Sequence, residues 1–387
     1  MPSKQILVGI VGVGLVGSEL VSQILSIPAA RNPFKIVFLA SSTKVLYAPV
    51  VDADPAKWKA ALAASTEAVD LKALGGYLRT LVAQQQGQGE GVEGRAVIVD
   101  NTSAEGVAGM YAEWIGQGVS VVTPNKKGFS GDRGVWEGIL RAAEGEGAGR
   151  WLNESTVGAG LPVVNTLREM VGSGDRVRKI EGVFSGTMSY IFNEWSGVPS
   201  GKGEGEGGGR KKFSDVVRVA REKGYTEPHP ADDLNGADVA RKLTILARTI
   251  GACAVGETAG VPVLGSYRDV QTQSLIPKAL EGEGSGDVFV SRLGEFDEEF
   301  ERLREEAERE GCVLRFVGVV DVENGVVKAG LEKYPVSHPF ATSLGGSDNI
   351  IMFHTERYSP RPLIVQGAGA GAAVTAMGVL GDLLKLV

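Results

Sequence analysis

Residues 5–20, "QILVGIVGVGLVGSEL", run an apolar stretch straight into a glycine turn. "QILVGIVGV" reads as a β-strand, and Gly12-Val13-Gly14-Leu15-Val16-Gly17 continues it as G-x-G-x-x-G before a helical pattern. Few folds tolerate so tight a passage from strand to helix. The first glycine permits the turn, the second lets the main chain approach a pyrophosphate, and the third lets the helix pack on the strand. The helix N-terminus then favours phosphate charge. The stretch therefore predicts a dinucleotide-binding α/β domain, the alternative being a glycine turn that serves packing alone. It lacks a small-residue cleavage pattern and does not read as a signal peptide.

The remainder of the first third keeps the same alternation. "FKIVFLA", "AVIVDNT" (96–102) and "VSVVTPN" (119–125) read as strands, with helical patterns in "WKAALAAS" and "SAEGVAGMYAEWIGQG". Continuous apolar strands separated by helices predict a parallel sheet covered on both faces. The middle of the chain changes character. "KIEGVFS" suggests a strand, 213–224, 234–250 and 295–311 suggest helices, and "VLRFVGVVDVENGVVKAGLEKYP" alternates around Asn324-Gly325, a hairpin signal. A largely antiparallel α+β domain is expected there. "PLIVQGAGAGAAVTAMGVLGDLLKLV" reads as strand, glycine turn and apolar helix, expected to return to the first domain. Three Gly/Glu stretches (144–149, 201–209, 281–286) are expected to be solvated spacers.

The totals exclude several classes. Forty Lys+Arg against 47 Asp+Glu give a net charge of −7, which does not suit a nucleic-acid or anionic-membrane surface. Two cysteines, Cys253 and Cys312, make no disulfide framework and suggest a reducing compartment, the cytoplasm. Three histidines without a cysteine cluster make a transition-metal site unexpected. No apolar run reaches the ~18 residues of a membrane span.

Candidate chemistry falls at strand ends and on one helix. After the second strand, Ser41, Ser42, Thr43 and Lys44 replace the usual ribose-binding acid, so NADP is expected to be accepted at least as readily as NAD. "DNTSAEG" and "TPNKKGFS" also end strands, where open α/β sheets place ligands; Lys126 and Lys127 are either surface lysines or anion contacts. In "NESTVGAGLPVVN", an extended segment would turn the carbonyls of Val157, Ala159 and Leu161 to one side near Glu154. That is a set of hard oxygen ligands, or else an interdomain hinge. In 224–248, "GYTEPHPADDLNGADVARKLTILAR", Asp232 or Asp233 could cap a helix starting near Leu234. At ~100° per residue Val239, Leu243, Leu246 and Ile250 share a face, Arg241 and Arg248 face water, and Asp238 and Lys242 lie between. Lys242 is then either half of a surface ion pair or a proton carrier in a cleft.

These segments together resemble homoserine dehydrogenase in its short fungal form, without an aspartokinase module or a C-terminal regulatory domain. The resemblance runs through "GVGLVGSEL", "WKAALAAST", "DNTSAEG", "TPNKKGFS", "NESTVGAGLPVVNTL", "EGVFSGTMSYIFNE", the 224–248 block, "YPVSHPFATSLGGSDNIIMF" and "VQGAGAGAAVTAMGVLGD". It implies reversible NADP- or NAD-dependent hydride transfer between L-homoserine and L-aspartate 4-semialdehyde, on the route to threonine, methionine and isoleucine. It implies that Lys242 transfers the proton and that Lys126 contacts substrate and cofactor. Glu227 and Asp238 would bind the substrate's amino end, with Gly186, Thr187, Tyr225 and Asp233 in the same pocket. It adds Lys59, Thr102, Ser103 and Gly371 to the Gly12–Gly17 loop as cofactor contacts. Glu154, Val157, Ala159 and Leu161 would bind Na+, and the hairpin sheet would form a homodimer. The implied architecture is a Rossmann-type nucleotide-binding domain, 1–153 completed by 368–387, and an α+β catalytic and dimerisation domain, 154–367. Two rivals are weighed: an aspartate-semialdehyde dehydrogenase, which needs a catalytic cysteine, and a non-catalytic NADP sensor, which would not need Lys242 or its acids.

Overall fold

The computed structural model describes residues 5–47, 54–87, 95–198, 210–253 and 260–387; the Gly/Glu stretch 201–209 lies outside them. The chain divides into two compact units, Met1–Val164 with Ala370–Val387, and Asn165–Gly369.

The first unit is built on β1 (Ile6–Val11), β2 (Phe34–Ala40), β3 (Val45–Tyr47), β4 (Arg95–Asp100), β5 (Ser120–Val122) and β6 (Trp151–Leu152), in the order β3-β2-β1-β4-β5-β6. Strands β2, β1, β4, β5 and β6 are parallel, whereas β3 runs antiparallel to β2. The four strands read from the sequence are parallel, and β3, which the sequence reading does not include, adds an antiparallel edge. "SSTK" is too short for a helical crossover and closes a tight turn, with Ser41 N–H on the Lys44 carbonyl at 2.8 Å. Ile6, Val8, Ile10, Val97 and Val99 share one core with Leu20, Val21 and Ile24 of the helix Leu15–Ser26 and Ala376, Val379 and Leu383 of the helix Ala372–Leu384. The C-terminal helix thus completes this unit. "SAEGVAGMYAEWIGQG" forms two short helices, Glu105–Ala108 and Tyr111–Gly116, instead of one. The stretch 144–149 is a turn that Gly147 makes at φ 70°.

Residues 154–164 belong to this unit rather than to the second, where a boundary at 153 would put them. The Glu154 N–H donates to Asp382 Oδ2 at 2.7 Å and the Ser155 hydroxyl to the Thr375 carbonyl at 3.0 Å. The segment is not extended: Gly158 (φ 78°) and Ala159 (φ 56°) turn it over. Ala159 is the one positive-φ non-glycine among the described residues.

The second unit carries β7 (Val177–Val183), β8 (Gln271–Thr272), β9 (Cys312–Asp321), β10 (Val326–Pro335), β11 (Asp348–Thr355) and β12 (Leu363–Ala368), in the order β12-β11-β7-β9-β10-β8. All pairs are antiparallel except β10 with β8. The β9–β10 hairpin turns at Asn324 and Gly325, whose φ of 66° suits the turn. Val317 and Val319 of β9 join Val183, Phe340, Ile350 and Met352 in one cluster. Gly318 points the other way, and a Cβ there would lie 2.8 to 3.0 Å from Leu243, Phe184 and Val239. The helix Ala237–Cys253 packs close on that face. Among the described residues no helix is long and apolar enough to cross a membrane.

Two expectations for this helix are corrected. It starts at Ala237, after Gly236 (φ 73°) separates it from the short helix Ala231–Leu234. Asn235 Oδ1, rather than Asp232 or Asp233, accepts from its first amide at 2.8 Å. Arg248 does not face water. It is buried, and its Nη2 donates to the carbonyls of Leu264 (3.2 Å) and Gly265 (3.1 Å), acceptors from a segment the helical period does not reveal.

Arg315 of β9 is the heaviest polar load in this unit. It is 1% exposed, and its Nε and Nη1 donate to the carbonyls of Phe340, Phe192, Ser196 and Leu314 at 2.7 to 3.2 Å. Burial pulls its pKa down to about 10, which leaves it charged at neutral pH. Arg315→Met should strip those carbonyls of their donor and destabilise the protein by about 3–5 kcal/mol. Denaturant unfolding checks this; a loss below about 1 kcal/mol would show the carbonyls finding other donors.

Candidate functional site

In the first unit the glycine turn divides its labour as steric need requires. At Gly12 (φ 85°) a Cβ would sit 2.6 Å from Thr102 Cγ2, and at Gly17 one would sit 2.0 Å from the Gly12 carbonyl oxygen. At Gly14 it would meet nothing within 4 Å. The first and third glycines are therefore packed, and the middle one faces open space at the N-terminus of the helix Leu15–Ser26, where a phosphate can approach. Val13, Val16 and the exposed Leu15 complete this lip, and the Ser18 hydroxyl donates to the Val13 carbonyl at 3.0 Å.

A buried polar network fixes the two neighbouring loops. Asp100, at the end of β4, accepts from the Thr102 N–H (2.7 Å), Asn125 Nδ2 (2.9 Å) and the Tyr111 hydroxyl. Thr123 donates to the Asp100 carbonyl at 2.7 Å and accepts from the Asn125 N–H at 2.8 Å. Burial pushes the Asp100 carboxyl above the usual carboxylate range, against the pull of its donors. The network holds Thr102 and exposed Ser103 on one side and Lys126 and Lys127 on the other, with the Lys127 N–H on Asn125 Oδ1 at 3.1 Å. The sequence shows both loops, Asp100 included, but not that Tyr111 and Asn125 bond to Asp100 beneath them. Lys59 is exposed beside the Trp58 ring at 5.4 Å, and Gly371 (φ 122°) precedes the C-terminal helix. Lys44 donates to the Ala63 carbonyl in the helix Pro55–Ala64.

The set suggested for a cation is also in this unit. Buried Glu154 accepts through Oε1 from the N–H groups of Val163 and Val164, both at 2.7 Å. The Leu161 carbonyl accepts from the Val163 N–H at 2.9 Å. Among the described residues no group of three His, Cys, Asp or Glu side chains could hold a metal, so a cation here would rest on main-chain oxygens and one carboxylate.

The second unit brings the other candidates together. Ser185 caps the helix Gly186–Trp195, accepting from the Met188 N–H at 3.2 Å. This puts Thr187 in reach of the Tyr225 carbonyl, to which its hydroxyl donates at 2.6 Å. Tyr225 is exposed and lies edge-on to Tyr190, their centroids 5.0 Å apart. Asp233 Oδ2 accepts from the Glu227 N–H at 2.8 Å, which holds the loop carrying exposed Glu227. Desolvation raises the Asp233 pKa to about 6; the Glu227 amide and Thr187 oppose this, while the Glu227 and Asp238 charges add to it. Lys242 is 7% exposed. Its Nζ lies 2.7 Å from Asp238 Oδ2 and donates to the Phe184 carbonyl at 2.6 Å. The side chain of Asp238 is 47% exposed, so the pair bridges core and solvent rather than lying on the surface.

Two contributors escaped the sequence. Phe184 acts through its carbonyl, which leaves no mark in residue type. The stretch 281–286, taken for a spacer, is ordered: the Glu283 carbonyl lies 2.8 Å from His229 Nε2, and Ser285 caps the helix Gly286–Leu293. A Cβ at Gly286 would sit 2.9 Å from the Pro228 carbonyl, so the stretch packs on the Glu227 loop. Burial raises the Cys253 pKa, which disfavours a thiolate there, and Cys312 Sγ lies 3.6 Å from the Glu310 carbonyl.

Residues 12–152 match the family described as "Homoserine dehydrogenase, NAD binding domain", and residues 162–384 match "Homoserine dehydrogenase". Homoserine dehydrogenase of Saccharomyces cerevisiae is 44% identical over 100% of this chain and 99% of its own. A crystal structure of a Candida auris protein of unknown function matches with TM-score 0.85 and 40% identity, covering 99% of this chain and 98% of that one. A hyperthermophilic archaeal homoserine dehydrogenase in complex with NADPH shares the fold, with TM-score 0.65 and 21% identity over 98% of this chain and 97% of that one.

Asp233 gives this site a measurable signature. Its carboxyl binds a proton more readily in the fold (about 6) than its ordinary value of 3.8. The native state therefore gains on the unfolded one at low pH, and that gain is lost as pH rises through the window from about 4 to about 6. Asp233→Asn cannot titrate, so wild type should lose stability relative to it across that window by about 1–3 kcal/mol, with no further change above. Unfolding at pH 4.5, 5.5 and 7 reads this; a difference that stays constant would place Asp233 in water.

Proposed function

The chain belongs to the homoserine dehydrogenase family, and from that premise we propose how its own residues divide the work of an NAD(P)-dependent oxidoreductase. The reaction is the reversible conversion of L-homoserine to L-aspartate 4-semialdehyde, on the route to threonine, methionine and isoleucine. The observation that carries the assignment is the buried Lys242 beside Asp238 in a unit that also gathers Thr187, Tyr225, Glu227 and Asp233.

Neutral Lys242 takes the hydroxyl proton of homoserine as the alcohol is oxidised, and returns it to the carbonyl oxygen in the reverse direction. The bound nicotinamide nucleotide supplies the hydride acceptor or donor. Glu227 and Asp238 hold the substrate ammonium, with Gly186, Thr187, Tyr225 and Asp233 shaping the pocket. Gly12 to Gly17, Lys59, Thr102, Ser103 and Gly371 hold the nucleotide, and Lys126 contacts both nucleotide and substrate. Both cofactors are accepted, since Ser41 to Lys44 present no carboxylate to repel a 2′-phosphate. Nucleotide binding is assigned to the unit of 1–164 and 370–387, and catalysis to the unit of 165–369. Two copies associate through the sheet of the β9–β10 hairpin. The absence of a disulfide framework suits a cytoplasmic location.

A continuous assay of nicotinamide absorbance with homoserine and each cofactor tests the reading. Lys242→Ala should lower turnover by roughly 10²–10⁴-fold while NADPH still binds, and Asp238→Ala should also raise the homoserine KM. A folded Lys242→Ala enzyme that binds NADPH and keeps more than about a tenth of wild-type turnover would take Lys242 out of the mechanism.

We further propose a sodium ion at Glu154 and the carbonyls of Val157, Ala159 and Leu161. The turn at Ala159 supports it, because a strained φ of 56° needs a compensating interaction. Thermal midpoints should rise in sodium chloride over choline chloride at equal ionic strength. The rise should vanish in Glu154→Gln, which still accepts from the Val163 and Val164 amides. Equal midpoints in the two salts would remove the ion.

A further inference from the structure

Asn349 does not fit its neighbours. It stands in β11, "DNIIMFHT", among apolar residues, and it is 0% exposed. Its Nδ2 donates to the Phe184 carbonyl at 3.1 Å, while its Oδ1 is buried with no hydrogen-bond partner among the described residues. A buried amide with an unmet acceptor costs stability. The space is nonetheless shaped around it. A Cβ at Gly369 would lie 2.1 to 2.4 Å from Asn349 Cγ, Nδ2 and Oδ1. Only glycine at 369 lets the amide stay where it is.

The amide reaches the carbonyl that Lys242 uses. Strand β11 pairs with β7 at Ile350 and Val183, and one step past that pair on each strand stand Asn349 and Phe184. One oxygen thus accepts from an ammonium at 2.6 Å and an amide at 3.1 Å. Both draw on the same carbonyl dipole, so the ammonium is held less firmly than it would be alone.

We infer that Asn349 is a positioning residue for the reaction: its amide fixes the Phe184 carbonyl and takes part of its accepting capacity, which sets the place and the proton affinity of Lys242. The inference rests on Lys242 as the proton carrier. The charged groups on elements packed against this helix are Asp232 and Asp233 ahead of it, Arg268 and Asp269 beside Tyr267, Arg315 and Asp321 on β9, and Lys328, Glu332 and Lys333 on β10; Glu227 adds its charge at Asp233, and Asp238, Arg241 and Arg248 lie on the helix itself. None of them changes when Asn349 is replaced, so a displaced titration reads the carbonyl.

The decisive variant is Asn349→Leu, which keeps the branched outline, removes the unmet acceptor and leaves Phe184 bonded to Lys242. Its thermal midpoint should equal or exceed that of wild type, and NADPH binding should be unchanged. In homoserine oxidation the acidic limb of kcat, where Lys242 must lose its proton, should move up by about one pH unit, or about tenfold in rate below the limb. Gly369→Ala, which pushes on the same amide, should move the limb in the same direction and decides the matter alone if Asn349→Leu does not fold. An unmoved limb, or a uniform loss at every pH, overturns the inference. Lys242→Ala measured alongside separates the two readings. If it keeps turnover, the proton-carrier reading falls; if it loses turnover while the Asn349→Leu limb stays in place, only the role of Asn349 falls.

Discussion

The second unit is organised around a lysine ammonium that is 7% exposed and must be matched where it stands. A charge in a low-dielectric interior survives only with partners at fixed positions. Lys242 has the Phe184 carbonyl at 2.6 Å and Asp238 at 2.7 Å, and each partner constrains something larger. Phe184 fixes where β7 must stop and where Ser185 must start the next helix. Asp238 fixes the first turn of the lysine's own helix, so Gly236 must break the chain just before it. Gly318 lets that helix lie close enough to the sheet for the carbonyl to be in reach. Backbone termini, a glycine and a strand end all follow from placing one nitrogen.

The first unit meets a similar demand with a neutralising network instead of a charge pair. Asp100 is buried under the loops of Thr102 and Lys126 and takes three donors, among them the hydroxyl of wholly buried Tyr111. A fully satisfied polar network in the interior is rigid, since moving one member leaves another unmet. Loops at strand ends would otherwise be the mobile part of the sheet. Here Thr102, Ser103 and Lys126 project from a floor that cannot shift piecemeal.

What the sequence disclosed follows the range of the forces involved. Gly12, Gly14 and Gly17 were legible because their constraints are steric and local, within one turn. The strands were legible from apolar runs, and the hairpin from Asn324-Gly325. Lys242 and Asp238 were legible as an i, i+4 pair, though the residues alone left proton carrier and surface ion pair both open. Arg248 was misplaced because periodicity assigns faces without knowing what lies opposite, and the Leu264 and Gly265 carbonyls come from a later segment. The antiparallel β3 was missed because strand direction depends on connection length, not on composition. The stretch 281–286 looked like padding because glycine and glutamate bury no core. Yet its contacts run through a main-chain carbonyl and a missing Cβ, which composition does not record.

Three departures from local rules lie at or beside residues to which chemistry is assigned. Asp233 is a carboxylate held where its charge is disfavoured, Asn349 an amide with an unmet oxygen, and Ala159 a non-glycine at positive φ. Each costs stability that an ordinary substitution would recover, and none is needed to close a core. Strain of this kind persists when the surrounding structure over-determines it and function retains it. Two of the three lie along the connections that run from the Glu227 loop and the end of β7 to Lys242. The same unit buries Arg315 with its Nε and Nη1 on four carbonyls, yet leaves the indole N–H of Trp195 without a hydrogen-bond partner among the described residues. What sets the unmet oxygen of Asn349 apart is its place, on an amide that shares the Phe184 carbonyl with Lys242.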